Sequence, residues 1–280
     1  IYPTRAMAKF INPFTDVGFK RIFGQEVNKE ILISFLNALL EGERYITDLE
    51  FIDKEKLPPF REGRGLIYDI YCSTDTGEHI IVEMQNRYQT NFKDRAVYYA
   101  STDIAWQGER GEDWHYLLTP VYGVYFMNFT WNGEARLRTD VALADLETGK
   151  QFSDRLRLIF LQLPLIELEE KDCDTDFKKW LYVLKNMQTF DRMPFAAQKA
   201  VFEKLGSIAE IATMPKHQRM AYEESLRIYR DNISIMETER EQGREEKMLE
   251  IIHNMRASGL DDASISKYTG ISLEELSKIV

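Results

Sequence analysis

Two runs of strand-forming residues, Leu66-Ile67-Tyr68-Asp69-Ile70-Tyr71 and His79-Ile80-Ile81-Val82-Glu83-Met84-Gln85, each carry one carboxylate among apolar neighbours. The spacer between them contains Asp75-Thr76-Gly77-Glu78, a turn signal that predicts an antiparallel hairpin. Asp69 and Glu83 then fall on adjacent strands. Whether they share a face depends on the register, because a slip of one residue turns every side chain to the other side of the sheet. An isolated carboxylate on an apolar strand is expensive to bury. Either a hard divalent cation or an ion pair at a sheet edge would offset the cost, and the two roles stay open on the hairpin alone.

The flanking segments supply the rest of a sheet. Residues 27 to 40 place Ile31, Phe35 and Leu39 on one helical face with Leu32 and Leu36 beside them, the pattern of a helix packed on strands. Residues 46 to 53 alternate as a first strand, set apart from the hairpin by Pro58-Pro59 and residues 61 to 65. A helix over residues 91 to 106 and a buried strand over residues 119 to 129 follow, with further strands near 138 to 146 and 155 to 163. Helix, three strands, helix, strand calls for an α/β sheet layered between helices. From about residue 167 the pattern is helical, over 177 to 187, 194 to 213 and 217 to 255. The expected division is a domain over residues 10 to 167 and a helical C-terminal region over 168 to 280, with the boundary near Leu168.

With 280 residues, 44% of them hydrophobic, the chain can bury a substantial core. No apolar run approaches the roughly 20 residues that span a bilayer, and the first residues lack the apolar stretch of a secretory signal, so a cytoplasmic location is expected. Cys72 and Cys173 are far apart and the four histidines are scattered, so any metal should be held by oxygen ligands. A net charge of −10 argues against nonspecific coating of nucleic acid. Contact with DNA must rest on local patches, for which Lys20, Arg21, Arg61, Arg64, Arg87, Lys93 and Arg95 are the contributors. Arg95, Tyr99 and Thr102 lie at i, i+4 and i+7 of the second helix and share a face. That face could present a guanidinium and a phenol to a phosphate, or could pack Tyr98, Tyr99 and Trp106 into the core.

The box Phe14-Thr15-Asp16-Val17-Gly18-Phe19-Lys20-Arg21-Ile22-Phe23-Gly24, then Tyr68-Asp69, Val82-Glu83-Met84-Gln85, Arg95 through Tyr98-Tyr99, and Thr119-Pro120-Val121 together resemble the Rpn family of recombination-promoting nucleases and transposases, within the PD-(D/E)XK nuclease superfamily. The similarity runs from about Phe10 to Trp131. It implies a PD-(D/E)XK restriction-endonuclease-like core and a metal-dependent DNA endonuclease linked to recombination or mobile elements. Asp69 and Glu83 would hold Mg²⁺, or Mn²⁺, with the Met84 carbonyl, and Gln85 would stand where the motif lysine usually does. Mg²⁺ needs only one or two carboxylates, because it keeps several waters and takes further oxygens from the phosphate. Gln85 cannot supply a positive charge but can orient water. Lys20 is one candidate for the missing cation and Asp16 for a third carboxylate, against a bland role for Asp16 as a helix N-cap. Arg87, Lys93, Arg95 and Tyr99 are the expected DNA contacts. The competing expectation is a nuclease fold without chemistry that binds DNA or protein.

Residues 255 to 280 read as helix, turn, helix, turn, helix, with Gly259 and Gly270 at the stops. The unit is similar to a helix-turn-helix, but its last helix sets Lys278 against Glu274 and Glu275. Self-association is therefore the favoured role, a homodimer through the C-terminal helices, ahead of regulation by base readout.

Overall fold

The computed structural model describes residues 8–52, 55–56, 66–108, 115–131 and 136–279. The expected Pro58-Pro59 loop, Arg61 and Arg64 lie outside them. Two short helices, α1 (Asp16–Phe23) and α2 (Lys29–Leu39), precede strands β1 (Leu49–Phe51), β2 (Glu55–Lys56), β3 (Leu66–Ile67), β4 (Ile70–Thr74) and β5 (His79–Gln85). Helix α3 (Phe92–Trp106) leads to β6 (Val121–Met127), β7 (Arg138–Ala144) and β8 (Gln151–Gln162). The chain then continues through α4 (Asp176–Asn186), α5 (Ala200–Ala209), α6 (Lys216–Ala257), α7 (Asp262–Thr269) and α8 (Leu273–Lys278). The helix, three-strand, helix, strand order is present, and β7 and β8 extend it.

Six strands form one sheet in the order β1-β4-β5-β6-β8-β7, while β2 and β3 pair separately. β4 and β5 form the antiparallel hairpin, closed at Gly77, whose φ of 94° favours glycine. β6 lies parallel to both β5 and β8, and it is buried along its whole length because helices cover both faces there. On one face α1, α2, α4 and α5 bury Phe19, Phe23, Phe35 and Trp180 against Ile80, Val82 and Phe126. On the other, α3 buries Phe92, Ala96 and Ala100 against Tyr68, Tyr71, Ile81 and Tyr125. Alternation along β5 explains the split, since Ile80 and Val82 point one way and Ile81 the other.

The box preceding α1 is built by local geometry. Thr15, not Asp16, caps the helix by accepting from the Gly18 amide, and Asp16 occupies the first turn. Any side chain at Gly18 would have its Cβ 2.1 Å from the Asn12 carbonyl oxygen, so only glycine fits. Asn86, immediately after β5, donates to the Phe14 carbonyl at 2.9 Å and ties this box to the end of the strand that carries Glu83.

The chain divides into two compact units, one ending at Tyr229 and the other beginning at Arg230. The expected boundary near Leu168 falls inside the first, because Trp180, Leu184 and Phe202 share the core of Phe23 and Phe35 and could not be exposed without opening it. The expected helix over residues 194 to 213 is regular only over α5; positive φ at Phe195 marks a turn before it. In the second unit Ile252, Ile265 and Leu276 form a small core. Arg256 closes it, donating to Asp262 and to the carbonyls of Leu276 and Ile279. Among the described residues no helix is long and apolar enough to cross a membrane.

Candidate active site

The β4–β5 register pairs Ile70 with Val82, and one step further along the ladder Asp69 stands opposite Glu83. The chain bends at residues 68 and 69, between β3 and β4, so that Tyr68 and Tyr71 pack in the same core despite their odd spacing. This bend frees the Asp69 amide from the ladder. It donates to Glu83 Oε1 at 3.1 Å, and the Met84 amide donates to Asp69 Oδ2 at 2.8 Å. Each carboxylate thus caps the other strand's backbone. Glu83 follows Ile81 by two residues and lies on the α3 side of the sheet.

Glu83 is only 5% exposed. Burial, and next the charge of Asp69, push its carboxyl up to about 8, against the opposing effect of the Asp69 amide, Arg95 and Gln85. The phenols of Tyr68 and Tyr125 are also raised, mainly by burial and in part by the charge of Glu83. Two acids held together in an apolar wall leave the site short of positive charge.

Gln85, also on the α3 side, donates from Nε2 to Glu83 Oε2 at 3.3 Å. Its Oε1 accepts from Arg95 Nη2, and Arg95 Nη1 donates to Gln89 Oε1 at 3.1 Å. The guanidinium sits 6.0 Å from the ring centre of Tyr99, which in turn packs edge-on against Tyr68. The Arg95-Tyr99-Thr102 face of α3 therefore points at the sheet. Thr102 is spent within the helix, donating to the Tyr98 carbonyl.

Asp16 and Lys20 do not join this chain of contacts. They pair with each other at 2.6 Å and border a groove of about 510 Å³ lined also by Arg21, Met214 and Gln218. Arg21, expected to face DNA, instead donates to the Ile208 carbonyl and to Gln218, which docks α1 on α5 and the start of α6. Arg87 is exposed just beyond β5, and exposed Lys93 lies 4.6 Å over the Trp131 ring.

Three contributions escape the sequence. Gln89 carries no signal that it will fix Arg95, and Tyr68 and Tyr125 look like ordinary core aromatics although they wall in Glu83. The third is a buried network one helical turn past Tyr99. Asp103, fully buried, accepts from Tyr71 Oη at 2.6 Å and lies 2.8 Å from His79 Nδ1, locking α3 to β4 and β5. An acid on the inner face of a helix was the available clue.

The donor set suits a hard cation. Asp69 and Glu83 offer only oxygen atoms, and their mutual repulsion would be relieved by a positive ion. Among the described residues no group of three or more His, Cys, Asp or Glu side chains is arranged to hold a metal, so the candidate centre has two carboxylates.

A family model described as PD-(D/E)XK nuclease family transposase matches residues 13–239. It spans α1, the whole sheet and the first part of α6. No curated protein and no solved structure matches the chain.

Proposed function

Since the chain belongs to the PD-(D/E)XK nuclease family transposases, we propose that it is an endonuclease that hydrolyses phosphodiester bonds in DNA with Mg²⁺, or Mn²⁺ in its place, in recombination or the movement of mobile elements. The observation that carries this reading is the pairing of buried Glu83 with Asp69, two acids that a divalent cation would bring into balance. Asp69 and Glu83 would hold the ion, with the Met84 carbonyl as a further oxygen. Bound there, a divalent cation supplies positive charge for the phosphate oxygens and makes a nearby water more acidic.

The residues around the pair divide the remaining work. Gln85 fixes Glu83 Oε2, and its amide can also hold a water in line with phosphorus. The water oxygen bonds to phosphorus as one P–O ester bond opens; the water gives up a proton and the departing oxygen leaves with one as a hydroxyl. Tyr68 and Tyr125 keep the floor apolar, which strengthens every charge interaction above it. Arg95 and Tyr99 face the scissile phosphate, while Arg87 and Lys93 meet the flanking backbone of an otherwise acidic protein. Asp16 and Lys20 pair with each other rather than with the two carboxylates, and a role for the pair in DNA approach is proposed.

The test is conversion of supercoiled plasmid to nicked or linear DNA. Wild type should cleave with Mg²⁺ or Mn²⁺ and not with chelator, and Asp69→Ala and Glu83→Ala should abolish cleavage while the thermal melt stays cooperative. Gln85 in place of lysine and the net charge of −10 favour a second reading, a nuclease fold that binds DNA or protein without cutting. Retained DNA binding with no cleavage at any metal concentration would select it. For the second unit we propose self-association, supported by exposed Ile235, Met248, Leu249 and Ile251 on α6. Light scattering at the mass of a single chain would refute that.

A further inference from the structure

We infer that Arg95 supplies the positive charge absent from position 85, and that Gln85 acts as the positioning residue that delivers it. This rests on the metal-dependent reading of Asp69 and Glu83 above. Gln85 uses both ends of its amide: Nε2 donates to Glu83 Oε2 at 3.3 Å, and Oε1 accepts from Arg95 Nη2. A lysine at 85 would carry donor and charge on one side chain. Here the two duties are split between a strand residue and a helix residue, and the glutamine joins them.

Three features make the split specific. Gln89 takes Nη1 at 3.1 Å, so two amide oxygens hold the guanidinium from different sides, and a rigid planar fork suits that better than an ammonium. Tyr99 lies along the guanidinium with its ring centre 6.0 Å away, limiting its swing. Through the Gln85 amide the guanidinium is held one side chain away from Glu83. Because Gln85 and Gln89 each take a single N–H, the other guanidinium donors stay available to a non-bridging phosphate oxygen, where charge builds as the P–O bond opens. Arg95 is then a catalytic residue, whereas a residue that merely held DNA would not need an amide bridge to the acid pair.

The experiment compares wild type, Arg95→Ala, Gln85→Ala and the double variant Arg95→Ala/Gln85→Lys. Two quantities are read: Mn²⁺ affinity by titration calorimetry without DNA, and kcat and KM for cleavage of a short duplex. A cation beside the acid pair repels the metal, so Arg95→Ala should tighten Mn²⁺ binding about three- to tenfold. Gln85→Ala should do so in part, by releasing the guanidinium, and the double variant should return toward wild type. In cleavage, Arg95→Ala should lower kcat about 100-fold with little change in KM, and adding Gln85→Lys should recover at least about tenfold.

Equal Mn²⁺ affinity in all four proteins, or a double variant no better than Arg95→Ala, overturns the inference even if wild type cuts DNA well. The expected order of Mn²⁺ affinities in a protein that never cleaves upholds the charge placement and overturns the hydrolase reading instead. Absence of Mn²⁺ binding by wild type overturns both.

Discussion

Replacing Glu83 with glutamine should stabilise the metal-free protein at neutral and alkaline pH, by an amount that grows with pH. The side chain keeps its shape and its place against the Asp69 amide, but it can no longer ionise. The wild-type carboxyl is pushed from its ordinary 4.5 up to about 8 by burial and by Asp69. A folded-state value above the unfolded one means that the stabilisation is complete below about pH 4.5 and is lost as the pH rises through 8. At 1.36 kcal/mol per pKa unit, wild type should lose about 3–4 kcal/mol relative to Glu83→Gln between pH 5 and pH 8, or roughly 10 °C in Tm. Urea unfolding in chelator at several pH values measures this, with tryptophan fluorescence as the probe because all four tryptophans precede the second unit. Titrating groups that do not interact with Glu83 cancel in the difference between the two proteins. Parallel stability curves, with a difference constant to within about 0.5 kcal/mol, would refute the premise that Glu83 is a buried acid pressed against a second one.

Other perturbations probe the supports of the site. Gly18→Ala should cost roughly 1–3 kcal/mol in the same fluorescence-detected unfolding, because its Cβ meets the Asn12 carbonyl oxygen at 2.1 Å; no loss would mean that the box before α1 is looser than described. Tyr71→Phe removes a donor from the fully buried Asp103 and should destabilise by about 1–3 kcal/mol, checked by Tm, with no direct effect on metal affinity. Arg256→Ala should loosen the second unit, seen as faster amide exchange in α7 and α8, while the tryptophan transition stays in place.

Much of this architecture is legible in the residues, and what is not has identifiable causes. The hairpin follows from Gly77 between two apolar runs, but its register does not, and only the structure sets Ile80 and Val82 on one side of β5 and Ile81 and Glu83 on the other. The bend at residues 68 and 69 is hidden, because Tyr68 and Ile70 look like continuous strand; the break appears only once Tyr68 has to pack beside Tyr71. The extent of the first unit is hidden for a related reason. An amphipathic helix such as α4 shows that it has an apolar face, but not that the face covers Phe23 and Phe35 more than a hundred residues earlier. At the site, the two carboxylates stand out because charge on an apolar strand is rare. The Arg95–Gln85–Glu83 chain does not, since it joins a helix to a strand through side chains that each look like surface polar residues.

Asp69 and Glu83 should share one divalent ion. An anomalous difference map from crystals soaked in Mn²⁺ tests it directly. A peak is expected within direct coordination distance of one oxygen from each carboxylate, absent from Glu83→Gln crystals treated alike; a map with no density between the two side chains, or with Mn²⁺ only on some other acidic surface, would rule out a shared ion.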